Sequence, residues 1–392
     1  MKFCKKELPI LAPYSSSTYN IGLIRLSSIG DVILASSCLN LLAQVPFPVH
    51  VTWIGRSLTI NLLRSSYPEV SYIAVDNNPP IFTLLRQLAH LDLLVDLQRN
   101  FRSSLLRWFF AAYCWRPREV IEKASFARSL LVWRAYAQGR KISPRGLAPA
   151  NAPRTLQYQN MVNTLSKALR KHCSLYTRAP HEDIRPRLFP SKNSAVRDEV
   201  ASLLAPFGQI QWLAIAPGAS FPAKRAPQIV LRTIIAKLSE NLHAADPHKS
   251  SSQFGLFVLG DKADQAACGE FLEQLAWEGP LLNLSGRLGL EACQLLLAHA
   301  LVVLSNDSGL SHLAEAVGTP AMVLFGPTVE AFGFSPQLGA SRSFSASLGC
   351  RPCSKHGKTP CRFGDQRCFI DIDTAHVARS LMDCLADYHK NF

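Results

Sequence analysis

No stretch of the chain approaches the ~20 apolar residues that a membrane-spanning helix needs; the longest apolar runs are strand-length. A leader pattern is also lacking: Lys2, Lys5 and Lys6 are followed by Pro9, Pro13 and the Ser15–Ser17 cluster, not by an apolar core. The expectation is a cytoplasmic protein with neither signal peptide nor anchor. The glycines after the first strand pattern do not spell G-x-G-x-x-G, which leaves a nicotinamide-type cofactor unsupported. Acidic residues are few, 28 Asp and Glu against 42 Lys and Arg, for a formal charge of +14. That excess comes with no zinc-finger, RNA-recognition or helix-turn-helix signature, so no nucleic-acid partner is expected.

What is present is ample apolar material. At 392 residues and 48% hydrophobic content, the chain can build two cores, since single cores rarely grow beyond ~250–300 residues. The positive charge is unevenly placed. Between Arg99 and Arg145 stand eleven basic and two acidic residues, interleaved with Trp108, Phe109, Phe110, Trp115 and Trp133. Basic residues mixed with aromatics suit an anionic membrane surface or a phosphorylated glycolipid. The plainer reading is a solvated basic face over helices with aromatic cores.

Strand and helix patterns alternate through the first half: strands at Tyr19–Leu26, Val49–Ile54, Tyr72–Val75 and Leu91–Asp96, with helices at Asp31–Ala43, Leu58–Ser65, Ile81–Ala89 and Phe101–Trp115 between and after them. Beyond Arg116 the pattern blurs, and a helix pattern returns over 155–172. After a Pro- and charge-rich stretch the alternation resumes: strands at Trp212–Ala216, Phe254–Leu259, Leu281–Leu284, Leu301–Ser305 and Ala321–Phe325, with helices at Ala195–Leu204, Pro227–Leu242, Ala263–Trp277 and Leu288–His299. Such βα alternation predicts parallel, doubly wound sheets. The expected architecture is α/β, with two Rossmann-like domains facing a cleft: residues 1–178, a linker at 179–194, and a second domain at 195–392.

Chemistry-bearing residues gather just after strand patterns, where open α/β sheets bind ligands. In Leu26-Ser-Ser-Ile-Gly-Asp31, Asp31 is placed to serve as a base, or simply to cap a helix. In Ala216-Pro-Gly-Ala-Ser-Phe-Pro-Ala-Lys-Arg-Ala-Pro227, a loop with free N–H groups carries Lys224 and Arg225, suited to a departing diphosphate. Gly260-Asp-Lys-Ala-Asp264 offers a carboxylate for a ribose. Asn306-Asp-Ser-Gly-Leu-Ser-His312 joins a buried strand to a helix start, whose unpaired N–H groups and dipole attract phosphate. Each also has a bland reading as an ordinary strand–turn–helix junction.

Together, Arg25–Ile33, Gly218–Pro227, Asn306–Ala314 with Gly318-Thr-Pro320, and Leu324–Thr328 resemble glycosyltransferase family 9, the ADP-heptose:lipopolysaccharide heptosyltransferases. The resemblance runs from about residue 20 to 375. It implies a GT-B fold and an inverting, metal-independent transfer with no cofactor. By that resemblance Asp31 deprotonates the acceptor hydroxyl, and Ser220 and Lys224 bind the donor diphosphate. Asp307, Ser308, Gly309 and His312 hold donor phosphates and sugar, and Asp264 lies near the nucleoside. Asp96, Gln98 and Arg102 fall in a segment that resembles the family's acceptor side. Two positions depart from the family pattern: Ala226 stands where many relatives carry an aromatic, and Leu310 where proline is frequent.

Of eleven cysteines, seven are scattered as buried thiols would be in a reducing compartment. Cys350, Cys353, Cys361 and Cys368 cluster. They are open to three readings: unliganded thiols, a disulfide, or a structural zinc site. Similar cysteine-rich tails occur in some members of the family. The resulting expectation is transfer of a heptose from ADP-heptose to a phosphorylated lipid A/core acceptor at the inner face of the inner membrane. The alternatives are a family member using another nucleotide sugar, or a non-catalytic nucleotide-sugar-binding protein.

Overall fold

The computed structural model describes residues 18–76, 79–122, 125–139, 156–176, 184–245 and 253–390. The chain divides into two compact units, Met1–Lys123 with Gln157–Phe189, and Ala124–Leu156 with Pro190–Phe392.

The first unit contains β1 (Tyr19–Ile24), α1 (Ile29–Ala35), α2 (Ser37–Leu42), β2 (Val49–Gly55), α3 (Ser57–Ser66), β3 (Ser71–Ala74), α4 (Ile81–Leu88), β4 (Leu93–Asp96), α5 (Phe101–Cys114) and β5 (Arg118–Val120). The next helix, α6 (Ser125–Gln138), is grouped with the second unit, and α7 (Gln157–His172) returns to the first. The strands form one parallel sheet in the order β3-β2-β1-β4-β5. The central strands are apolar on both faces, as a sheet covered on both sides requires. One core cluster joins Ile24 and Ile54 to Leu84, Leu88, Leu106 and Phe110, all buried. Asn100 caps α5 by accepting from the Ser103 N–H at 2.8 Å, the role short polar side chains favour at a helix start.

The second unit contains α8 (Ser194–Leu204), β6 (Gln211–Ala216), α9 (Gln228–Ala245), β7 (Phe254–Val258), α10 (Gln265–Glu273), β8 (Leu281–Asn283), α11 (Leu290–His299), β9 (Ala300–Asn306), α12 (Gly309–Ala316), β10 (Ala321–Phe325), β11 (Arg342–Ser345), α13 (Arg367–Ile370) and α14 (Thr374–Lys390). Its parallel sheet runs β11-β10-β9-β6-β7-β8. Beneath it α9 packs on α14, and Ile234, Leu238, Phe271, Phe369 and Leu381 join one buried cluster.

Counted within each unit, the two sheets share an order: third, second, first, fourth, fifth strand, with a sixth in the second unit. In both, the direction of winding reverses between the first and fourth strands. That switch point opens a crevice at the carboxyl ends of the strands, where ligands of doubly wound sheets bind.

The structure departs from the sequence reading in a few places. The single helix expected from Asp31 to Ala43 is two, α1 and α2, broken at Ser36. There the Ser36 and Ser37 hydroxyls donate back to the Ile33 and Leu34 carbonyls, each at 2.7 Å, a competition that bends helices. The sequence pattern does not foretell strands β5 and β11 or helices α6, α13 and α14. The helix expected over Ala263–Trp277 stops at Glu273, and its start is a 3-10 turn, Lys262–Asp264.

Candidate functional site

At the first unit's switch point, the loop after β1 meets the loop after β4. Asp31 is the third residue of α1, with Ser28 as the N-cap. Its Oδ2 accepts from the Ser28 hydroxyl at 3.0 Å and the Ser28 N–H at 3.3 Å, and lies 2.6 Å from the Arg25 guanidinium. Asp31 is therefore not the N-cap itself: Ser28 is, and Asp31 is its capping-box partner at the third helical position. Its side chain is one-fifth exposed, against 5% for Arg25. Gln98 ties the two loops together: its Oε1 accepts from the N–H groups of Leu26 and Ser27 at 3.0 and 3.1 Å.

Asp96 is fully buried. Its Oδ1 accepts from the N–H groups of Gln98 and Arg99 at 2.9 and 2.8 Å, and Arg107 stands 3.7 Å from its Oδ2. It shapes the turn after β4. Arg102 is exposed on the first turn of α5. With Arg56 it lines a cavity of about 460 Å3 whose walls include Ile24, Ile54, Leu84 and Leu106.

At the second unit's switch point, the loop after β6 meets the start of α12. Asn306, fully buried at the end of β9, bridges them. Its Nδ2 donates to the Pro217 carbonyl at 2.7 Å, and its Oδ1 accepts from the Ala226 N–H at 3.1 Å. Lys224 reaches Asp307 Oδ2 at 2.7 Å, and the Thr328 hydroxyl donates to the same oxygen at 2.8 Å. Ser308 is the N-cap of α12; its buried hydroxyl has no partner among the described residues. Gly309 opens the helix, so its N–H and those following it are the orphan donors of a helix start. His312 is buried, its ring tilted 6.0 Å from that of Phe334. Ser220 is exposed on the loop above.

Asp264 closes the loop from behind. It pairs with Arg225 at 3.2 Å, and a Cβ on Gly218 would fall 2.1 Å from its carboxyl carbon. Glycine at 218 is therefore what lets the loop lie against this carboxylate. Burial raises the Asp264 pKa above the ordinary carboxylate value, partly countered by the Asp261 N–H and by Arg225.

The four clustered cysteines line one small cavity of about 30 Å3 beside Arg351. Arg351 is buried and donates to the carbonyls of Gly326 and Ala346 at 2.6 Å, and to those of Phe325 and Thr328 at 2.9 Å. This braces the turn that carries Thr328 to Asp307. Gly357 lies against the Lys224 stem, where a Cβ would come within 2.2 Å of Lys224 Cγ. Burial pushes the thiols of Cys353 and Cys368 up to about 11 and 12. Burial would raise Cys361 too, yet the N–H groups of Phe363, Gln366, Gly364 and Asp365 bring it below its ordinary value. Among the described residues, no group of three or more His, Cys, Asp or Glu side chains is arranged to hold a metal ion.

Arg25, Asn306, Thr328 and Arg351 went without a role in the sequence reading. Asn306 carried a signal, as an amide closing an apolar strand; the others are recognisable only from their partners.

Two parallel Rossmann-like sheets of this order, each with charged residues at its switch point, define a GT-B fold. A sequence profile of glycosyltransferase family 9 (heptosyltransferase) matches residues 151–364, more than half of the chain, and the chain belongs to that family. It is similar to lipooligosaccharide heptosyltransferase 2 of Haemophilus ducreyi, 30% identical over 224 residues that cover 54% of this chain and 60% of that protein. It is also similar to lipopolysaccharide heptosyltransferase 2 of Salmonella typhimurium, 32% identical over 180 residues, 44% of this chain and 46% of that one. The chain spans about half the length of the curated relatives it matches. Among solved structures, E. coli ADP-heptose lps heptosyltransferase II superposes with a TM-score of 0.64 at 20% identity, covering 94% of this chain and 99% of that one. A glycosyl transferase family 9 structure from Veillonella parvula gives 0.66 at 14% identity, covering 94% and 98%. At such identities the superpositions establish the fold.

Proposed function

We propose that the protein is an inverting glycosyltransferase that moves a heptose from ADP-heptose to a phosphorylated lipopolysaccharide inner-core acceptor. The observation that carries this reading is the Lys224 ammonium, held 2.7 Å from Asp307 just before the first turn of α12. A fixed cation beside a helix N-terminus stabilises charge that develops on a departing diphosphate and needs no reorganisation to do so. These cationic and N–H groups supply the stabilisation without a metal. Asp31 takes the proton of the acceptor hydroxyl as that oxygen attacks the anomeric carbon. Ser220, Ser308, Gly309 and His312 contact the donor's phosphates and sugar, and Asp264 lies toward the nucleoside. Gln98 and Arg102 serve the acceptor side, with Asp96 behind them.

The relatives' names support the choice of donor and acceptor. The test is a thermal-shift comparison of ADP-, UDP- and GDP-sugars, followed by a transfer assay with ADP-heptose and a heptose-deficient acceptor. Asp31→Ala is expected to lower turnover by ~10²–10⁴-fold, the usual contribution of a general base, while keeping the donor-induced shift. A shift with UDP- or GDP-sugars alone would move the reading to another nucleotide sugar. Undiminished turnover in the variant would remove Asp31 from the mechanism.

The acceptor's setting suggests a peripheral location at the cytoplasmic face of a membrane. Among the described residues no helix is long and apolar enough to cross one. On α5, Phe101, Leu105 and Trp108 are 83%, 42% and 61% exposed at spacings that put them on one stripe, with Arg102 nearby. Apolar anchors beside cations are what an anionic interface binds. Replacing Phe101 and Trp108 by Ser is expected to weaken sedimentation with phosphatidylglycerol vesicles several-fold, and unchanged sedimentation would refute this placement.

A further inference from the structure

Arg25 is the least exposed cation at the first switch point and stands outside the chemistry described above. A buried guanidinium is costly unless its donors are engaged; the Nε of Arg25 has no partner among the described residues, and the partners of its two terminal nitrogens are informative. One terminal nitrogen donates to the Leu97 carbonyl at the end of β4. The other reaches Asp31 Oδ2 at 2.6 Å. The backbone N–H of Arg25 donates to the Ile54 carbonyl of β2 at 3.0 Å, which fixes the main chain from which the side chain springs. The side chain is thus clamped between β4 and α1 and cannot swing away from the carboxylate without leaving a buried charge unpaired.

The Asp31 carboxylate is held asymmetrically. Arg25, the Ser28 hydroxyl and the Ser28 N–H all meet Oδ2, and no partner of Oδ1 is shown among the described residues. Three donors on one oxygen suppress rotation about the carboxylate's Cβ–Cγ bond and leave the second oxygen's lone pairs unengaged. We infer that Arg25 is a positioning residue for the transfer: with Ser28 it pins Oδ2 of Asp31 so that Oδ1 is the oxygen that receives the acceptor's proton. This rests on the reading of Asp31 as the base. In the step itself the hydroxyl proton passes to Oδ1 and the hydroxyl oxygen forms the new bond to the anomeric carbon. The bond from that carbon to the diphosphate oxygen breaks, and its electron pair leaves with the diphosphate. Arg25 touches none of these atoms and acts only through Oδ2.

The experiment compares Arg25→Met, Arg25→Lys and Asp31→Asn in the full chain, reading kcat, donor KM and thermal midpoint, with and without millimolar methylguanidinium. Arg25→Met is expected to lower kcat about 10- to 100-fold, the scale of a misaligned catalytic group, and to leave donor KM unchanged. Methylguanidinium should restore part of the kcat loss of that variant and none of that of Asp31→Asn. Arg25→Lys should retain more activity than Arg25→Met, because an ammonium still reaches Oδ2 but cannot also bind Leu97 with fork geometry. Full kcat in Arg25→Met, with Asp31→Asn inactive, would overturn the inference and spare the base. A loss in Arg25→Met that follows the thermal midpoint, raises donor KM and resists rescue would make Arg25 merely structural. Full turnover in Asp31→Asn would instead overturn the reading of the base.

Discussion

The two switch points occupy the same place in the same strand order yet carry opposite chemistry. In the first unit the group of interest is an anion, Asp31, held by a buried cation, Arg25. In the second it is a cation, Lys224, held by a buried anion, Asp307. Each crevice also has one uncharged amide that ties its loops together, Gln98 in the first and Asn306 in the second. The shared winding therefore supplies a location, open strand ends and helix starts, without prescribing a sign of charge. The sign comes from a few side chains, and in each unit a counter-ion holds the charge at the switch point while balancing its burial. The pattern also gives the second unit the groups that the proposed diphosphate would need. Lys224 there stands beside an eight-residue helix whose first N–H groups lack intrahelical partners.

The comparison can be broken most severely at Lys224. If the second crevice binds the donor and the first does not, Lys224→Met should weaken donor affinity by ~10- to 100-fold in calorimetry, the scale of a lost charged contact at a preorganised site. Asp31→Ala should leave that affinity intact. Equal weakening by both variants would mean that the division of labour between the crevices is wrong. Near-normal affinity in Lys224→Met would remove the diphosphate from this loop.

The alternation of strands and helices was readable because strands of a doubly covered parallel sheet are short, nearly continuous apolar runs. The pattern over Ala321–Phe325 coincides with β10, and that over Val49–Ile54 stops one residue short of β2. The strands that escaped are edges. β5 is only Arg118-Glu-Val120 and β11 is Arg342-Ser-Phe-Ser345, too short and polar to stand out, because an edge strand buries less. Ser36 and Ser37 broke a helix whose apolar pattern ran straight through them, since their hydroxyl-to-carbonyl bonds leave no mark on hydrophobic periodicity. Asp31, Lys224 and Asp307 were visible as charged residues following strands. Their partners were not. Arg25 lies only six residues from Asp31, but nothing in the sequence says that its side chain turns inward to meet it. By resemblance Asp96 falls in the acceptor-side segment, and in the structure it is fully buried and occupied by the N–H groups of Gln98 and Arg99.

The finest test of the contrast uses carboxylates that the two units perturb in opposite directions. In the first unit, burial would raise Glu119, yet hydrogen bonds from Lys171 and His172 at 2.7 and 2.9 Å bring it below its ordinary 4.5. In the second, burial raises Asp264 above its ordinary 3.8. A depressed carboxylate adds stability that is complete above its unfolded value and is lost as pH falls through the folded one. The stability difference between the wild type and Glu119→Gln should therefore be largest near neutrality and shrink as pH drops below 4.5. A raised carboxylate works the other way: the folded state binds its proton more tightly, so stability is gained as pH falls through the folded value toward 3.8. The wild type should accordingly gain on Asp264→Asn over that interval. Each change should be about 1 kcal/mol or less, because both groups are partly solvated, and urea titrations between pH 7 and the onset of acid unfolding would resolve them. Slopes of the same sign would mean that one of the two carboxylates does not sit in the electrostatic setting its neighbours define. Opposite slopes would show at equilibrium that the first unit stabilises the partly buried Glu119 carboxylate with the Lys171 ammonium and the His172 ring, whereas the second tolerates Asp264 at a cost.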